Sequence, residues 1–183
     1  NNGYLVRWKL GQDGDVRQRK VVSVPGGRSV TALTMVFGEV SLAVGDAGGN
    51  VSTWFPIQTK SGEKLRLIHP LSQHAGAVRE ILASQRDKTL LSLDDRGIAV
   101  LDYATSEKRL VTLQGRRPLR TTGYSPRGNA VIGLGEDDRL LVWQIDSPHP
   151  EVTWGTLFGK VWYENHDTPK YMWQSSGTDE PKF

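Results

Sequence analysis

The sequence contains no cysteine and only two methionines among its 183 residues. Without cysteine the chain cannot form a disulfide framework, a thiolate zinc site or a cysteine nucleophile. The absence of cysteine fits both the cytosol and the periplasm, so it does not choose a compartment. The chain also lacks an apolar run of the roughly 18–20 residues that a membrane span requires.

A strong charge of one sign is absent as well. The chain has 23 Lys and Arg against 20 Asp and Glu, a formal net charge of +3. Its basic residues are dispersed except for two small groups, Arg17/Arg19/Lys20 and Arg116/Arg117/Arg120. A nucleic-acid-binding protein usually has a denser basic stripe together with a recognisable reading motif. Nucleic acid is therefore not an expected partner.

Motifs for catalysis and for metal binding are also missing. There is no Gly-x-Ser-x-Gly segment to expose a nucleophile. The four histidines, at positions 69, 74, 149 and 166, show neither His-x-His nor His-x-x-x-His spacing. The glycine-rich residues 45–50 lead from strand to strand and lack the Gly-Lys-Ser/Thr end of a phosphate-binding loop. We expect no catalytic, metal-binding or cofactor-binding residue in this chain, and no enzyme activity.

A repeat is what the sequence does contain. A polar turn, alternating apolar residues and a large apolar residue recur, and the large residues Trp8, Trp54, Leu101 and Trp143 lie 46, 47 and 42 residues apart. A period of about 40–45 residues built from short strands is typical of a WD40-type β-propeller. The four residues are predicted to occupy equivalent buried positions. Each ends an alternating strand that faces the next repeat.

The repeats predict an all-β, WD40-like propeller fragment of about three and a half four-stranded blades. The expected units are a half blade at 1–25, blades at about 28–70, 74–114 and 117–154, and an aromatic tail at 154–183. Because the chain opens inside a repeat, we expect it to be a piece of a longer protein. Two blade faces would then lack a neighbour, and two ways of covering them stay open: a homodimer, which we prefer, or the tail folding back.

Polar positions that recur inside the repeat have a structural interpretation. His74 stands just before an inner strand, where WD40 repeats keep a structural histidine. Acidic residues recur in the turn between the second and third strands, at Asp46, Asp94/Asp95 and Asp137/Asp138. A carboxylate pair for acid–base or metal chemistry is the alternative. Recurrence at one place in successive blades favours bonding to nearby backbone or to histidine.

The tail differs from the repeats. Apolar residues at 154, 157, 158, 161 and 162 follow helical spacing and predict a short amphipathic helix. Its aromatic residues form the expected interface: Trp154, Phe158, Trp162, Tyr163 and Trp173. The helix either covers the open end of the propeller or meets the headgroup layer of a membrane, where Trp and Tyr are enriched.

Segments of the tail resemble a known family. Residues 154–164 (WGTLFGKVWYE), 171–177 (YMWQSSG) and 180–183 (EPKF) are similar to a segment of enlarged phosphate ABC-transporter permeases of the PstC type. The resemblance implies a soluble, extramembranous domain of a permease in the bacterial inner membrane, facing the periplasm and contributing to phosphate uptake. It implies as partners the rest of the permease, the other transporter subunits and the phosphate-binding protein. Contact with the membrane would come only through parent segments outside this chain.

Other functions remain open at this point. None of the transport helices of such a permease is present, and no residue is carried over as a phosphate ligand. A WD40 scaffold domain of an unrelated soluble assembly is the second interpretation. A catalytic propeller is the third, and it would require convergent polar residues on the inner strands, which offer few.

Overall fold

A computed structural model describes residues 3–145, 152–157 and 160–164 of the chain, which is all-β. An N-terminal ribbon contains β1 (Tyr4–Leu10) and β2 (Val16–Ser23). Sheet I contains β3 (Val30–Val36), β4 (Ser41–Asp46), β5 (Asn50–Thr59) and β6 (Gly62–Gln73). Sheet II contains β7 (Val78–Ala83), β8 (Thr89–Asp94), β9 (Ala99–Tyr103) and β10 (Arg109–Leu113).

Sheet III is the largest. It contains β11 (Leu119–Tyr124), β12 (Ala130–Gly135), β13 (Arg139–Gln144), β14 (Val152–Leu157) and β15 (Lys160–Glu164). All strand pairs in these sheets are antiparallel, and the strands follow one another in chain order across each sheet. Helical structure in the described residues is limited to a 3-10 turn at Pro25–Gly27 and a four-residue turn at Phe37–Val40. The described sheets do not form a closed ring.

The sheets pack face to face, and a hydrophobic cluster fills each interface. The ribbon meets sheet I through a cluster that includes Leu5, Val44 and Trp54. Sheets I and II share a cluster of small and branched residues: Ala32, Val36, Ala43, Val51, Val78, Ile81, Leu90 and Ala104. Sheets II and III share the largest cluster, which is built on leucines and Trp143. All six residues of β8 are buried, because both faces of sheet II are covered.

Turn geometry aligns the repeats. The turn before the third strand of sheets I, II and III contains a residue with positive φ: Gly49 (84°), Gly97 (75°) and Asp138 (60°). Glycine adopts this conformation without a Cβ clash, and aspartate is among the few other residues that tolerate it. Gly3, with φ of 72°, precedes β1 in the same way. The two ribbon strands therefore match the third and fourth strands of sheets I and II.

This alignment corrects one repeat position. Five residues after the positive-φ residue stand Trp8, Trp54 and Trp143, and in sheet II the residue at that distance is Asp102. Strand register agrees, because Trp54 pairs with Leu42, Trp143 with Val131 and Asp102 with Leu90. The prediction that Leu101 is the fourth equivalent residue is therefore wrong. Leu101 is fully buried, but it lies one residue earlier and faces sheet III instead of sheet I.

The prediction for Trp8 is also wrong, for a different reason. Trp8 has the equivalent position, yet 53% of its surface is exposed, whereas Trp54 is 4% exposed and Trp143 fully buried. Trp54 is covered by the ribbon and Trp143 by sheet II. Trp8 points away from sheet I, on the side of the ribbon where the described residues place no further sheet.

The predicted tail helix is replaced by two strands. β14 pairs with β15, and the register brings Trp154 opposite Tyr163 and Gly155 opposite Trp162. Helical spacing of the apolar residues competes here with Gly155, Thr156 and Gly159, which are poor helix formers, and with Val, Trp and Tyr, which favour strands. Phe158 and Trp173 lie outside the described residues.

Candidate interaction surface

The ribbon carries the most exposed apolar face in the described part of the chain. Side chains alternate along a strand, so Tyr4, Trp8 and Leu10 project from the same face of β1. Val21 and Val16 of β2 pair with Val6 and Leu10 and share that face. The five large side chains at 4, 8, 10, 16 and 21 are 48–60% exposed. We call them the outer face of the ribbon.

A second exposed apolar surface lies on β3, the first strand of sheet I. Leu33 pairs with Val44 and Met35 with Leu42, and cross-strand partners project from the same face. Val44 and Leu42 pack in the cluster beneath the ribbon. Leu33 and Met35 face the same side but are 56% and 45% exposed. We call these two residues the shelf.

The shelf is exposed because the ribbon has two strands where the other sheets have at least four. The ribbon inserts Leu5 and Val24 into the cluster with Trp54 and Leu65, which are residues of β5 and β6. In the described sheets β1 has one hydrogen-bonded neighbour, β2, whereas the matching strands β5, β9 and β13 have a neighbour on each side. Two further strands added at the open edge of β1 would match the second and first strands of sheet I, and the outer of the two would lie above the shelf. Open edges of this kind are templates for strand addition by another polypeptide.

Basic residues surround this surface. Arg7 lies directly opposite Lys20 on the inner side of the ribbon, and Arg19 lies opposite Trp8 on the outer face. Desolvation, followed by the nearby charges of Arg7 and Lys64, lowers the pKa of Lys20. At the turn of the ribbon Arg17 forms an ion pair with Asp13. Apart from that neutralised pair, these residues form a basic rim, which suits a partner with acidic groups around an apolar centre.

His74 has a structural role in this geometry. Its side chain is 1% exposed, its Nε2 lies 2.7 Å from Ser92 Oγ, and its Nδ1 lies 3.5 Å from Asp94 Oδ2. Burial lowers the pKa of His74, while Asp94 opposes that shift. Asp94 Oδ1 also accepts hydrogen bonds from the backbone N–H groups of Arg96 and Ile98. The group ties the start of sheet II to its own second turn.

The acidic turns follow the same pattern. Asp46 Oδ1 accepts hydrogen bonds from the backbone N–H groups of Gly48 and Asn50 at 2.7 and 3.0 Å. Asp138 forms an ion pair with Arg120, and Asp137 Oδ1 accepts from the backbone of Arg139. Each carboxylate holds local backbone or a neighbouring arginine. No group of three or more metal-ligating side chains occurs among the described residues.

A buried carboxylate that sequence reasoning missed is Asp102. It is 1% exposed and accepts a hydrogen bond of 2.5 Å from Ser72 of sheet I, and Arg109 Nε donates to that hydroxyl. Burial raises the pKa of Asp102, and Ser72 and Arg109 oppose the shift. Counting from the turn glycine, instead of seeking a large apolar residue, would have identified Asp102 as the departure from the repeat.

The shelf and most of the outer face were also missed. Only Trp8 was singled out from the sequence, and it was expected to be buried. The same alternating pattern holds for Tyr4, Leu10, Val16 and Val21, but an alternating pattern alone does not distinguish an exposed strand face from a buried one. No helix in the described residues is both long and apolar enough to cross a membrane.

Comparisons with known proteins bear on the fold alone. No protein-family model and no curated protein matches the chain. The crystal structure of the computationally designed Ika8 protein is similar, with a TM-score of 0.55 and 18% identity over 89% of this chain and 52% of that chain. The designed Ika4 protein gives a TM-score of 0.53 and 22% identity over 84% of this chain and 96% of that one. This chain spans about half the length of Ika8.

Proposed function

We propose that this chain is a non-catalytic, WD40-like propeller fragment that works by binding another polypeptide at the open edge of β1. Three observations support the propeller interpretation: the chain-order antiparallel sheets, the matched turn residues, and the hydrophobic cluster between each pair of consecutive sheets. In this interpretation the ribbon is the outer half of a blade, and sheets I, II and III are complete blades.

The exposure of Leu33 is the single observation that carries the binding proposal. Ile81 has the matching place in sheet II, since Leu33 pairs with Val44 and Ile81 pairs with Ser92 at the same distance from the turn. Ile81 is 5% exposed because sheet I covers it, while Leu33 is 56% exposed. The expected partner therefore contributes two antiparallel strands that extend the ribbon from β1 and lie on the shelf. Backbone hydrogen bonds provide affinity in such strand addition, and the apolar shelf provides specificity.

The resemblance of the tail to phosphate permeases suggests where this binding takes place. We propose that the chain is an accessory, periplasmic domain of such a permease in the bacterial inner membrane and contributes to phosphate uptake. Its partner would then be another part of the permease, a transporter subunit or the phosphate-binding protein. The basic rim favours a partner segment with acidic residues.

Site-specific photo-cross-linking tests the proposal in cells that produce the full gene product. A photoreactive residue is placed at position 33, and Tyr103, an aromatic residue 36% exposed on sheet II, is the matched control position. We expect an adduct at position 33 but not at 103, and mass spectrometry should identify a permease segment, a transporter subunit or the phosphate-binding protein. No adduct at position 33 above the control would reject the binding site. An adduct with an unrelated soluble protein would retain the site and reject the permease assignment.

A further inference from the structure

Sheet III has an apolar face that no other sheet covers in the described part of the chain. Ile132 pairs with Val142 and Leu134 with Leu140, so these four side chains project from one face of the sheet. All four are half-buried. The opposite face, which includes Trp143, packs against sheet II, and none of the four belongs to a cluster between the described sheets. We call these four residues the end face.

The end face matches a face that is already half of an interface within this chain. Val142 stands four residues after the positive-φ residue of sheet III, and Leu101 stands four residues after Gly97 of sheet II. The strand register agrees, because Val142 pairs with Ile132 and Leu101 pairs with Leu91. Leu101 and Leu91 are fully buried, because sheet III packs on them. The end face is therefore the side of sheet III on which a following unit of the repeat is expected to pack.

The other half of such an interface is the outer face of the ribbon. Trp143 fills the interface between sheets II and III, and Trp8 has the matching place in the ribbon, five residues after Gly3. Trp8 is 53% exposed, and Tyr4 and Leu10 on the same face are 54% and 60% exposed. The first and last of the described sheets thus expose the two faces that meet at each interface between consecutive sheets.

A second copy of the chain is the occupant that these two faces select. Within one copy the ribbon and sheet III are separated by sheets I and II, and each of these packs only on its neighbours in chain order. Two copies of four sheets each provide eight units. Known propellers close with about four to eight blades. A head-to-tail contact that is repeated closes a ring when the rotations complete a full turn.

We propose that this chain forms a head-to-tail dimer in which the ribbon of each copy packs on sheet III of the other. Trp8 packs on the end face as Trp143 packs on sheet II. The inference rests on the propeller interpretation but goes beyond strand addition, because the open edge of β1 and the shelf take no part in the contact. The ribbon supplies only two strands to each contact, so the dimer dissociates on dilution and dilute samples contain the isolated chain.

Sedimentation velocity of the whole chain over a range of concentrations tests the dimer. We expect a mass that rises with concentration toward twice the 20.3 kDa of one chain. Trp8→Glu and Val142→Glu each place a charge in the apolar contact. Each substitution alone should weaken dimer formation by about tenfold or more, because a few central apolar residues carry most of the affinity of an interface.

An equimolar mixture of the two variants is the decisive sample. The Trp8→Glu chain keeps a native end face, and the Val142→Glu chain keeps a native ribbon, so one undamaged contact can form between them. The mixture should therefore dimerise although neither variant does so alone. Phe55→Glu, at an apolar residue of sheet I that is 42% exposed, is the matched control and should leave the dimer unchanged. Circular dichroism checks that each variant is folded, and Val142→Ser replaces Val142→Glu if the latter does not fold.

A chain that is monomeric at every concentration would overturn the proposal, and this is the result expected if another part of the same chain covers the two faces. A dimer that survives both substitutions, or a mixture of folded variants that stays monomeric, would overturn the head-to-tail contact. Assembly into more than two copies would overturn closure by two. Leu33→Ser on the shelf should leave the dimer intact, so failure of this proposal is distinguishable from failure of strand addition at β1.

Discussion

Two sheet faces have matching strand registers but differ greatly in the exposure of their side chains. One is the face of sheet II toward sheet I, and the other is the face of sheet I toward the ribbon. Ile81 and Leu33 have matching register, and one is covered while the other lies open. Trp54 and Trp8 form a second such pair, with 4% and 53% exposure. In each pair the side chain is large and apolar. The exposure of each side chain is therefore set by what lies opposite it. The apolar side chains at the two exposed positions, Leu33 and Trp8, indicate that another element covers them.

The two interfaces of sheet II provide a complementary comparison. Toward sheet III a cluster of buried residues that includes Leu101 and Trp143 fills the interface. Toward sheet I the matching residues are Thr53 and Asp102, and a groove of about 230 Å³ lies at this interface. The repeat thus determines where the sheets meet, and departures from it leave space between them.

The largest expected effect comes from truncating the two tryptophans that differ most in burial. Trp143→Ala should lower the free energy of unfolding by about 3–5 kcal/mol, because a buried indole is replaced by a cavity. Trp8→Ala in the isolated chain should change it by no more than about 0.5 kcal/mol, because its face is open. Urea denaturation followed by circular dichroism measures both. Equal losses would mean that Trp8 is buried and the comparison is wrong.

The next effect concerns the pair on the first strands. Ile81→Ala should cost about 2–5 kcal/mol, since its side chain fills the interface between sheets I and II. Leu33→Ala should be nearly neutral in the isolated chain but should weaken partner binding. Thermal unfolding of the two variants checks the first statement, and binding of the partner identified by cross-linking checks the second. A neutral Ile81→Ala would show that sheets I and II do not pack as described.

A smaller effect sharpens the comparison of Trp54 with Trp143. Trp54 Nε1 donates to Ser52 Oγ at 3.0 Å, whereas Trp143 Nε1 is buried without a partner among the described residues. Leu141 has the matching place of Ser52 in sheet III, which explains the difference. Ser52→Ala should cost about 1–2 kcal/mol by leaving a buried donor unpaired. In a Trp54→Phe background, which has no donor, the same substitution should cost less.

The smallest expected effect is a pH dependence at Asp102. Burial raises the pKa of Asp102 in the folded chain, so the folded state holds its proton at a pH where the unfolded state has lost it. The native chain should therefore lose stability relative to Asp102→Asn as pH rises above about 4. Urea denaturation of both proteins from acidic to neutral pH measures the difference. A difference that is independent of pH would mean that Asp102 ionises normally.

Much of the fold was predictable because it depends on local pattern. Alternating apolar residues and the polar turns between them indicate short strands, and the positions of Trp54 and Trp143 follow from the period. Leu101 was chosen wrongly because hydrophobicity was given more weight than distance from the turn glycine. β14 and β15 were mistaken for a helix because Trp154, Leu157 and Phe158 match helical spacing by coincidence.

The candidate sites were less predictable because they arise between sheets. The exposure of Trp8 and Leu33 depends on strands that the described residues do not contain. The spacing of the sequence repeat alone predicts burial for both residues. The groove depends on Thr53 and His69 of sheet I meeting the turn at Ala104 and Thr105 across an interface. Each of these residues is unremarkable in its own strand. Only the comparison of aligned registers identifies the site.

Oxidation of Met35 provides the most direct test of the open shelf. A brief pulse of hydroxyl radicals, followed by peptide mass spectrometry, measures the rate at Met35 in the isolated chain and in the assembled parent protein, with buried Trp54 as internal reference. The account predicts rapid oxidation of Met35 in the isolated chain and strong protection in the assembly, while Trp54 remains protected in both. Equal oxidation of Met35 in the two samples would contradict the proposal that a partner covers the shelf.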